Sequence, residues 1–285
     1  MENQLIPKRI FFYWQNDSLS WMRYMTLYSF RKLNPDWQID LFYFDDAIVH
    51  EKQWKTLENQ DYFTYIGKDY FDKIHELNIN IKKWEIPEWE LINLNPVANS
   101  DVFRWYELCE NGGIYSDMDI LFIKPIDGLF NTLISGKFDT MLCLTEYLSI
   151  GFLASTQHNS LYKDVYNNCL KIVENDIGYQ SFGVCSFYDL FCTDMAKTNV
   201  LSKKYPELNI YNLPFKTVYP FDSFQIEDCF TGKCNISQIP EETIGYHWYA
   251  GHPLAQKYNS ILTEKNYNSF NNLFCELVKK YHNEK

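Results

Sequence analysis

The chain has no Gly-x-Gly-x-x-Gly run, no P-loop and no Cys-x-x-Cys, although it carries eight cysteines among its 285 residues. The first two absences remove the common glycine-rich phosphate cradles, and the third removes the usual zinc and thioredoxin-like signatures. No apolar run approaches the length of about 20 residues needed to span a bilayer. Basic residues are scarce: 26 Lys and Arg face 37 Asp and Glu, a formal charge of −11. Binding a phosphodiester backbone calls for a concentrated basic surface, so nucleic acid is not an expected partner. Met1 runs directly into Ile6-Pro7 and a strand-like stretch with no secretory pattern. The scattered thiols therefore read as reduced, buried small residues of a cytoplasmic protein.

What is present is bulk. Hydrophobic residues make up 46% of the chain and aromatics 18%, enough for one large domain with a substantial core. The most informative stretch is Gly112 to Leu121, read as a strand in which Asp117 and Asp119 lie two residues apart. Side chains alternate faces along a strand, so both carboxylates are expected on one side with Met118 on the other. Two like charges on one face repel unless something keeps them ionised together. A hard divalent cation, Mg²⁺ or Mn²⁺, does so, and it is commonly held by one or two carboxylates plus the phosphates of a substrate. The competing reading is a strand running out into a solvated Asp-rich turn.

Upstream, Asn95-Pro96 reads as an N-cap followed by proline at the first helical position, and Gly112 falls where a glycine closes a helix. Over Pro96 to Asn111, Ala98, Val102, Trp105 and Cys109 form one apolar stripe. Asp101 and Arg104 sit together roughly 90° around from it, bordered by Val97 and Leu108, which suits a partly buried pair that orients a polar ligand. A surface ion pair accounts for the same spacing.

Three stretches together resemble the DXD-containing glycosyltransferases of family 32, which share a sugar-transferring core with the large clostridial glucosylating toxins. They are Ile6-Pro-Lys-Arg-Ile-Phe-Phe-Tyr-Trp14, the Ser-Asp-x-x-Arg helix around Asp101 and Arg104, and the Gly-Gly-x-Tyr-x-Asp-x-Asp run with trailing Lys124-Pro125. The resemblance covers Ile6 to about Phe130 and returns in the C-terminal quarter. It implies an α/β chain of GT-A type, with a Rossmann-like twisted central sheet flanked by helices and a nucleotide sugar at the carboxyl ends of the strands. Carried over, Asp119 is the direct metal ligand, Asp117 contacts the metal or the ribose, Asp101 and Arg104 hold the donor sugar, and Trp14 stacks on the base. An aromatic at a strand end is also ordinary core. Gly245-Tyr-His-Trp-Tyr-Ala-Gly-His-Pro253 resembles the closing segment of the family, which makes His247 or His252 a third ligand to Mn²⁺ or Mg²⁺ and places Trp248 at the donor. The family's Ser-Trp is replaced here by His252-Pro253.

The implied function is metal-dependent, retaining transfer of a hexose from UDP-galactose or UDP-glucose to a saccharide or lipid-linked oligosaccharide acceptor, in bacterial capsular or other surface polysaccharide synthesis. Retention could use a carboxylate nucleophile. Glu146 and Ser149 are the candidates, against front-face attack with the departing phosphate as base. Two other classes stay open: a non-catalytic carbohydrate-binding relative, and a sugar-phosphate transferase or nucleotide-sugar hydrolase using the same donor.

The rest of the chain is less specific. The stretch 47–94 reads as two or three short helices on the acceptor side, with Trp84 and Trp89 as sugar platforms or as packing. The passage through Pro214, Pro220 and Pro240 reads as extended and turn-rich. The segment 266–285 carries Phe270, Leu273, Phe274, Leu277, Val278 and Tyr281 at helical spacing. That amphipathic helix is expected to dock on its own domain, with peripheral attachment to the inner face of a membrane as the second reading. No second-domain boundary is evident over 1–285.

Overall fold

A computed structural model of the chain describes residues 5–15, 18–44, 65–84, 96–144, 147–172, 178, 180–191 and 198–283. The first half builds β1 (Arg9–Gln15), α1 (Trp21–Leu33), β2 (Gln38–Phe44), β3 (Asn80–Lys83), α2 (Pro96–Glu110), β4 (Gly113–Ser116) and β5 (Ile120–Phe122). It continues through α3 (Asp127–Ser135), β6 (Thr140–Cys143), β7 (Ser149–Ser155), α4 (Ser160–Cys169), α5 (Ser186–Phe191), α6 (Thr198–Lys204) and β8 (Ile210–Asn212). The C-terminal part holds α7 (Ile226–Thr231), β9 (Gly245–His247), α8 (Pro253–Ile261) and α9 (Leu273–Tyr281), joined by short 3₁₀ turns.

Seven strands form one sheet in the order β3-β2-β1-β4-β7-β6-β8. β1 runs parallel to both β2 and β4, while β7 is antiparallel to β4 and β6. The α/β class expected from the sequence is the class observed. All seven residues of β1 are buried, with Ile10, Phe12 and Trp14 in one apolar cluster and Phe11 and Tyr13 in another. Such a strand, covered on both faces, belongs at the centre of a sheet. The strand order reverses between β1 and β4, because β2 lies on one side of β1 and β4 on the other. A crevice opens at such a switch point beyond the carboxyl ends of the strands.

The helix read over Pro96 to Asn111 ends at Glu110, and its stripe of Ala98, Val102, Trp105 and Cys109 is buried. Gly112 and Gly113 follow with φ of 64° and 104°, conformations that suit glycine. A Cβ on Gly112 would meet the carbonyl oxygen of Ser155 at 2.7 Å, so the pair lets the chain reverse directly from α2 into β4 alongside β7.

The expectation for 47–94 changes where it can be compared. Within 65–84 there is a 3₁₀ helix, Phe71–Leu77, and then β3, which extends the sheet beside β2. Alternating Ile81 with long polar residues fits a sheet edge, a pattern that a helical reading of the charged run overlooked. Trp84 is buried against Tyr13 and Phe103, with ring centroids 5.7 and 5.1 Å away. Trp89 and the remainder of that stretch lie outside the described residues. The C-terminal stripe is shorter than read: a 3₁₀ turn at Tyr267–Ser269, then α9, whose Leu273, Phe274, Cys275, Leu277 and Val278 are buried in the protein's own core. Among the described residues no helix is long and apolar enough to cross a membrane.

Candidate functional site

The run from Gly112 to Leu121 is not one strand. β4 stops at Ser116, Met118 and Asp119 form a turn, and β5 leaves the large sheet to pair with β9 in a separate two-stranded ribbon. Three contacts pin this corner: Asp117 N–H donates to the Gly151 carbonyl (2.8 Å), the Thr26 hydroxyl to the Met118 carbonyl (2.9 Å), and Trp248 N–H to the Asp119 carbonyl (3.0 Å). Met118 is buried in one of the apolar clusters. The carboxylates converge as expected, but a turn at the carboxyl edge brings them together, not pleat alternation.

β9 delivers His247 to the same place. Ligand atoms of Asp117, Asp119 and His247 all lie within 4.8 Å of one another. His247 Nε2 is 3.1 Å from Asp119 Oδ1, and Ala250 N–H donates to Asp119 Oδ2 (2.8 Å). Burial works to raise the Asp119 carboxyl, but the His247 charge and hydrogen bond, the Arg23 charge and the Ala250 N–H outweigh it and hold it well below the usual range. Asp119 therefore remains an anion where two acids and a histidine meet. Two hard oxygens at a cavity, with an imidazole nitrogen beside them, are a donor set that fits Mn²⁺ or Mg²⁺ with positions left for substrate oxygens.

The opposite wall comes from α2. Arg104 Nη2 lies 2.7 Å from Asp101 Oδ1 and 3.4 Å from Asp117 Oδ1. Its Nη1 donates to the Ile150 carbonyl (2.9 Å), and its guanidinium stacks 4.6 Å above the Tyr115 ring. Tyr115 donates its hydroxyl to Asp117 Oδ1 (2.6 Å). Asp101 and Arg104 are 2% and 4% exposed, so the pair is buried more deeply than their helical spacing suggested. Burial pushes the Asp101 carboxyl up to about 7, with the Asp117 charge adding and Arg104 opposing. Burial disfavours the Arg104 cation, but the charges of Asp117 and Asp101 prevail and keep it protonated. Asp101 Oδ2 is buried and accepts no hydrogen bond.

Between the two walls lies a cavity of about 190 Å³. It is lined by the end of β1 (Tyr13, Trp14, Gln15), by Arg23, by Pro96, Val97, Ser100, Asp101 and Arg104 of α2, and by Tyr115, Asp117, Met118 and Asp119 with Ile150, Gln180, Ala250 and Gly251. Two glycines make room: a Cβ on Gly151 would fall 2.5 Å from Asp117 Oδ2, and one on Gly183 2.6 Å from Asp101 Oδ2.

Of the residues singled out from the sequence, Trp14, Asp101, Arg104, Asp117 and Asp119 line the cavity, and His247 joins the two aspartates. Trp248 does not line it. This residue is fully buried and packed on Phe274, and Arg23 places its guanidinium 5.5 Å over its ring and 4.8 Å over that of Trp14. His252 is not one of the three converging groups. Its Nδ1 accepts from Leu254 N–H (3.3 Å) as the N-cap of α8, work that imidazole can do at a helix start. Ser149 opens β7 and is half-buried, whereas Glu146 lies outside the described residues. Reading the sequence missed Gln15, Arg23, Gln180 and Gly151, and it named Tyr115 within a motif without giving it a role. Gln15 alone left a signal, as a polar residue ending an otherwise apolar strand.

Residues 18–138 match the family described as "Glycosyltransferase sugar-binding region containing DXD motif", somewhat under half of the chain. No curated protein matches. Among solved structures, the chain is similar to PaToxG glycosyltransferase at 16% identity and a TM-score of 0.48, over 72% of this chain and 76% of that one. It is also similar to the glycosyltransferase GlyE of Streptococcus pneumoniae TIGR4, at 13% identity and a TM-score of 0.46, over 99% and 61%. Mouse xyloside xylosyltransferase 1 aligns at 9% identity and a TM-score of 0.45, over 86% and 98%.

Proposed function

We propose that this chain, a glycosyltransferase by its match over residues 18–138, is a metal-dependent retaining enzyme that moves a hexose from a nucleotide sugar to a saccharide acceptor. One observation carries the reading: the convergence of Asp117, Asp119 and His247 within 4.8 Å, on a cavity whose other wall is the buried Asp101–Arg104 pair. Asp119, Asp117 and His247 would hold Mn²⁺ or Mg²⁺. Bound there, the ion would act as a Lewis acid toward the negative charge that develops on the leaving diphosphate. Arg104 and Arg23 supply further positive charge from α2 and α1, and charge placed in advance where it develops is worth more in a dry cavity than in water. Asp101 Oδ2, a buried acceptor with no donor of its own, suits a hexose hydroxyl, and Gln180 lies on the same wall.

UDP-galactose and UDP-glucose are the donors we favour, from the family resemblance. The acceptor we favour is a saccharide or lipid-linked oligosaccharide of a bacterial surface polymer, handled in the cytoplasm or at the inner face of the membrane. Retention then proceeds by front-face attack, the acceptor hydroxyl losing its proton to the departing phosphate. A glycosyl adduct trapped on the protein and located by mass spectrometry would sink that route.

The test of the reading is nucleotide release from UDP-, GDP- and CMP-sugars with Mn²⁺ or with EDTA. The expected result is release from one donor that is lost in EDTA and lost in Asp119→Ala. Release that persists in EDTA would overturn the metal assignment. Free sugar as the sole product, with every saccharide acceptor offered, would favour a hydrolase.

A further inference from the structure

Among the described residues, four that are not glycine have a positive φ: Asn78, Lys137, His158 and Tyr249. Asn78 ends the 3₁₀ helix Phe71–Leu77, Lys137 follows α3, and His158 lies in the turn between β7 and α4. Asparagine and histidine are residue types that tolerate this conformation, and a helix end favours it. Tyr249, two residues beyond His247, has a φ of 50°. A bulky side chain held there is an outlier that the surrounding structure must impose, and such outliers cluster at functional sites.

The bonds on either side show what this conformation does. β5 and β9 run antiparallel with Ile120 opposite His247, and the pairing continues where Trp248 N–H donates to the Asp119 carbonyl (3.0 Å). Two residues on, Ala250 N–H donates to the side chain of the same aspartate, at Oδ2 (2.8 Å). In an extended chain those two N–H groups would lie roughly 7 Å apart along the strand. The left-handed residue between them turns the second onto the carboxylate of the residue whose backbone holds the first. His252 N–H then closes the turn on the Tyr249 carbonyl (2.9 Å).

The ring of Tyr249 packs on His247. The two meet edge to face, with centroids 4.2 Å apart and planes at 86°, and Tyr219 packs on the same imidazole at 5.0 Å. His247 Nδ1 is buried and has no hydrogen-bond partner among the described residues. A metal-binding histidine ordinarily takes its orientation from a hydrogen bond at its second nitrogen. Here aromatic contact fills that role. The Tyr249 hydroxyl fixes its own ring by donating to the Phe221 carbonyl (3.2 Å).

We propose that Tyr249 is a positioning residue of the Asp117–Asp119–His247 group: its left-handed backbone sets the Ala250 N–H on Asp119, and its ring holds the His247 imidazole in place. The inference rests on the metal-site reading above, and it assigns Tyr249 no contact with metal or substrate.

Titration of Mn²⁺ into the full chain without any sugar donor, well below the melting temperature of each variant, tests this by a readout other than turnover. Tyr249→Gly and Tyr249→Ala both remove the ring and are expected to weaken Mn²⁺ binding about tenfold or more. Tyr249→Phe keeps the ring and is expected to retain most of the affinity. Melting of the same proteins without metal reads the backbone. Glycine is less stable than alanine at an ordinary position, and the order reverses in the left-handed region. Tyr249→Gly is therefore expected to melt about 2–4 °C above Tyr249→Ala. Wild-type Mn²⁺ affinity in both Tyr249→Gly and Tyr249→Ala would overturn the proposal, as would a Tyr249→Phe variant as weak as those two, or Tyr249→Ala melting above Tyr249→Gly. If wild type itself takes up no Mn²⁺, the metal-site reading falls and this proposal with it.

Discussion

The sheet carries a buried arginine–carboxylate cluster at each end, and the two differ in what they leave unmet. At the amino edge, Arg9 donates Nε to Asp40 Oδ2 (2.6 Å), Nη2 to Glu107 and Nη1 to the Gly112 carbonyl (3.0 Å). Asp40 also accepts from Gln38, Asn80 and Lys82, each at 2.9 Å. Burial raises its carboxyl, but the bonds from Asn80, Arg9 and Lys82 win and lower it below the usual range. At the carboxyl edge, Arg104 serves Asp101 and Asp117, yet Asp101 keeps an empty acceptor and its carboxyl rises to about 7. The two clusters draw on the same helix, through Glu107 at one end and Asp101 with Arg104 nearer the other. A network with every partner present ties strands together, whereas one with a partner missing keeps its place for a ligand.

The largest expected break in this contrast is Arg9→Met. It leaves Asp40 and Glu107 buried without their common cation and should cost about 3–5 kcal/mol in urea unfolding. Next is Asp101→Asn, expected to cut donor turnover by about 100-fold or more, on the scale of losing one preorganised polar partner. Its stability effect carries the opposite sign. The folded-state pKa of Asp101 lies above that of the unfolded chain, so the native state binds the extra proton between about pH 4 and 7 and loses stability as pH rises through that window. The melting temperature of Asp101→Asn relative to wild type should therefore climb between pH 5 and 8, and a flat difference would contradict the assignment.

A third buried group, His282, sharpens the comparison by testing burial without a carboxylate partner, beside Lys32, whose charge also lowers its pKa. His282 lies 2.6 Å, through Nε2, from the Phe122 carbonyl, and burial lowers its pKa to about 4. The unfolded chain takes up a proton below about 6.5 that the folded one refuses, so this group withdraws up to about 3 kcal/mol of stability as pH falls from 6.5 to 4. His282→Gln should flatten that part of a stability–pH curve measured in urea. The smallest effect is expected of Gly151→Ala. Its Cβ would press on Asp117 Oδ2, and a shifted ligand should weaken Mn²⁺ binding about tenfold with little change in melting temperature.

What could be read from the chain follows the reach of local rules. Pro96 and Gly112 bracket α2 because they act on their own dihedral angles, and the stripe from Ala98 to Cys109 is buried because helical period alone decides which residues share a face. Asp101 and Arg104, three apart on that helix, were certain to meet. The double aspartate was correctly singled out and given the wrong local structure. Pleat alternation and the observed turn both bring two carboxylates to one side, and the break at Ser116 exists because β5 finds β9, more than a hundred residues later. Trp248 shows the same limit from the other direction: its neighbours suggested a donor contact, and α9 covers it instead.

By itself the sequence determined the β1, α2 and β4 elements, the acid–base pair on one helical face, the two aspartates and the glycines that let α2 return into the sheet. These follow from forces acting within about ten residues. Only the tertiary structure decided that His247 rather than His252 completes the aspartate pair and that Arg23 lies across Trp14 and Trp248. Each depends on which distant segment fills the remaining space, and close packing settles that for the whole chain at once.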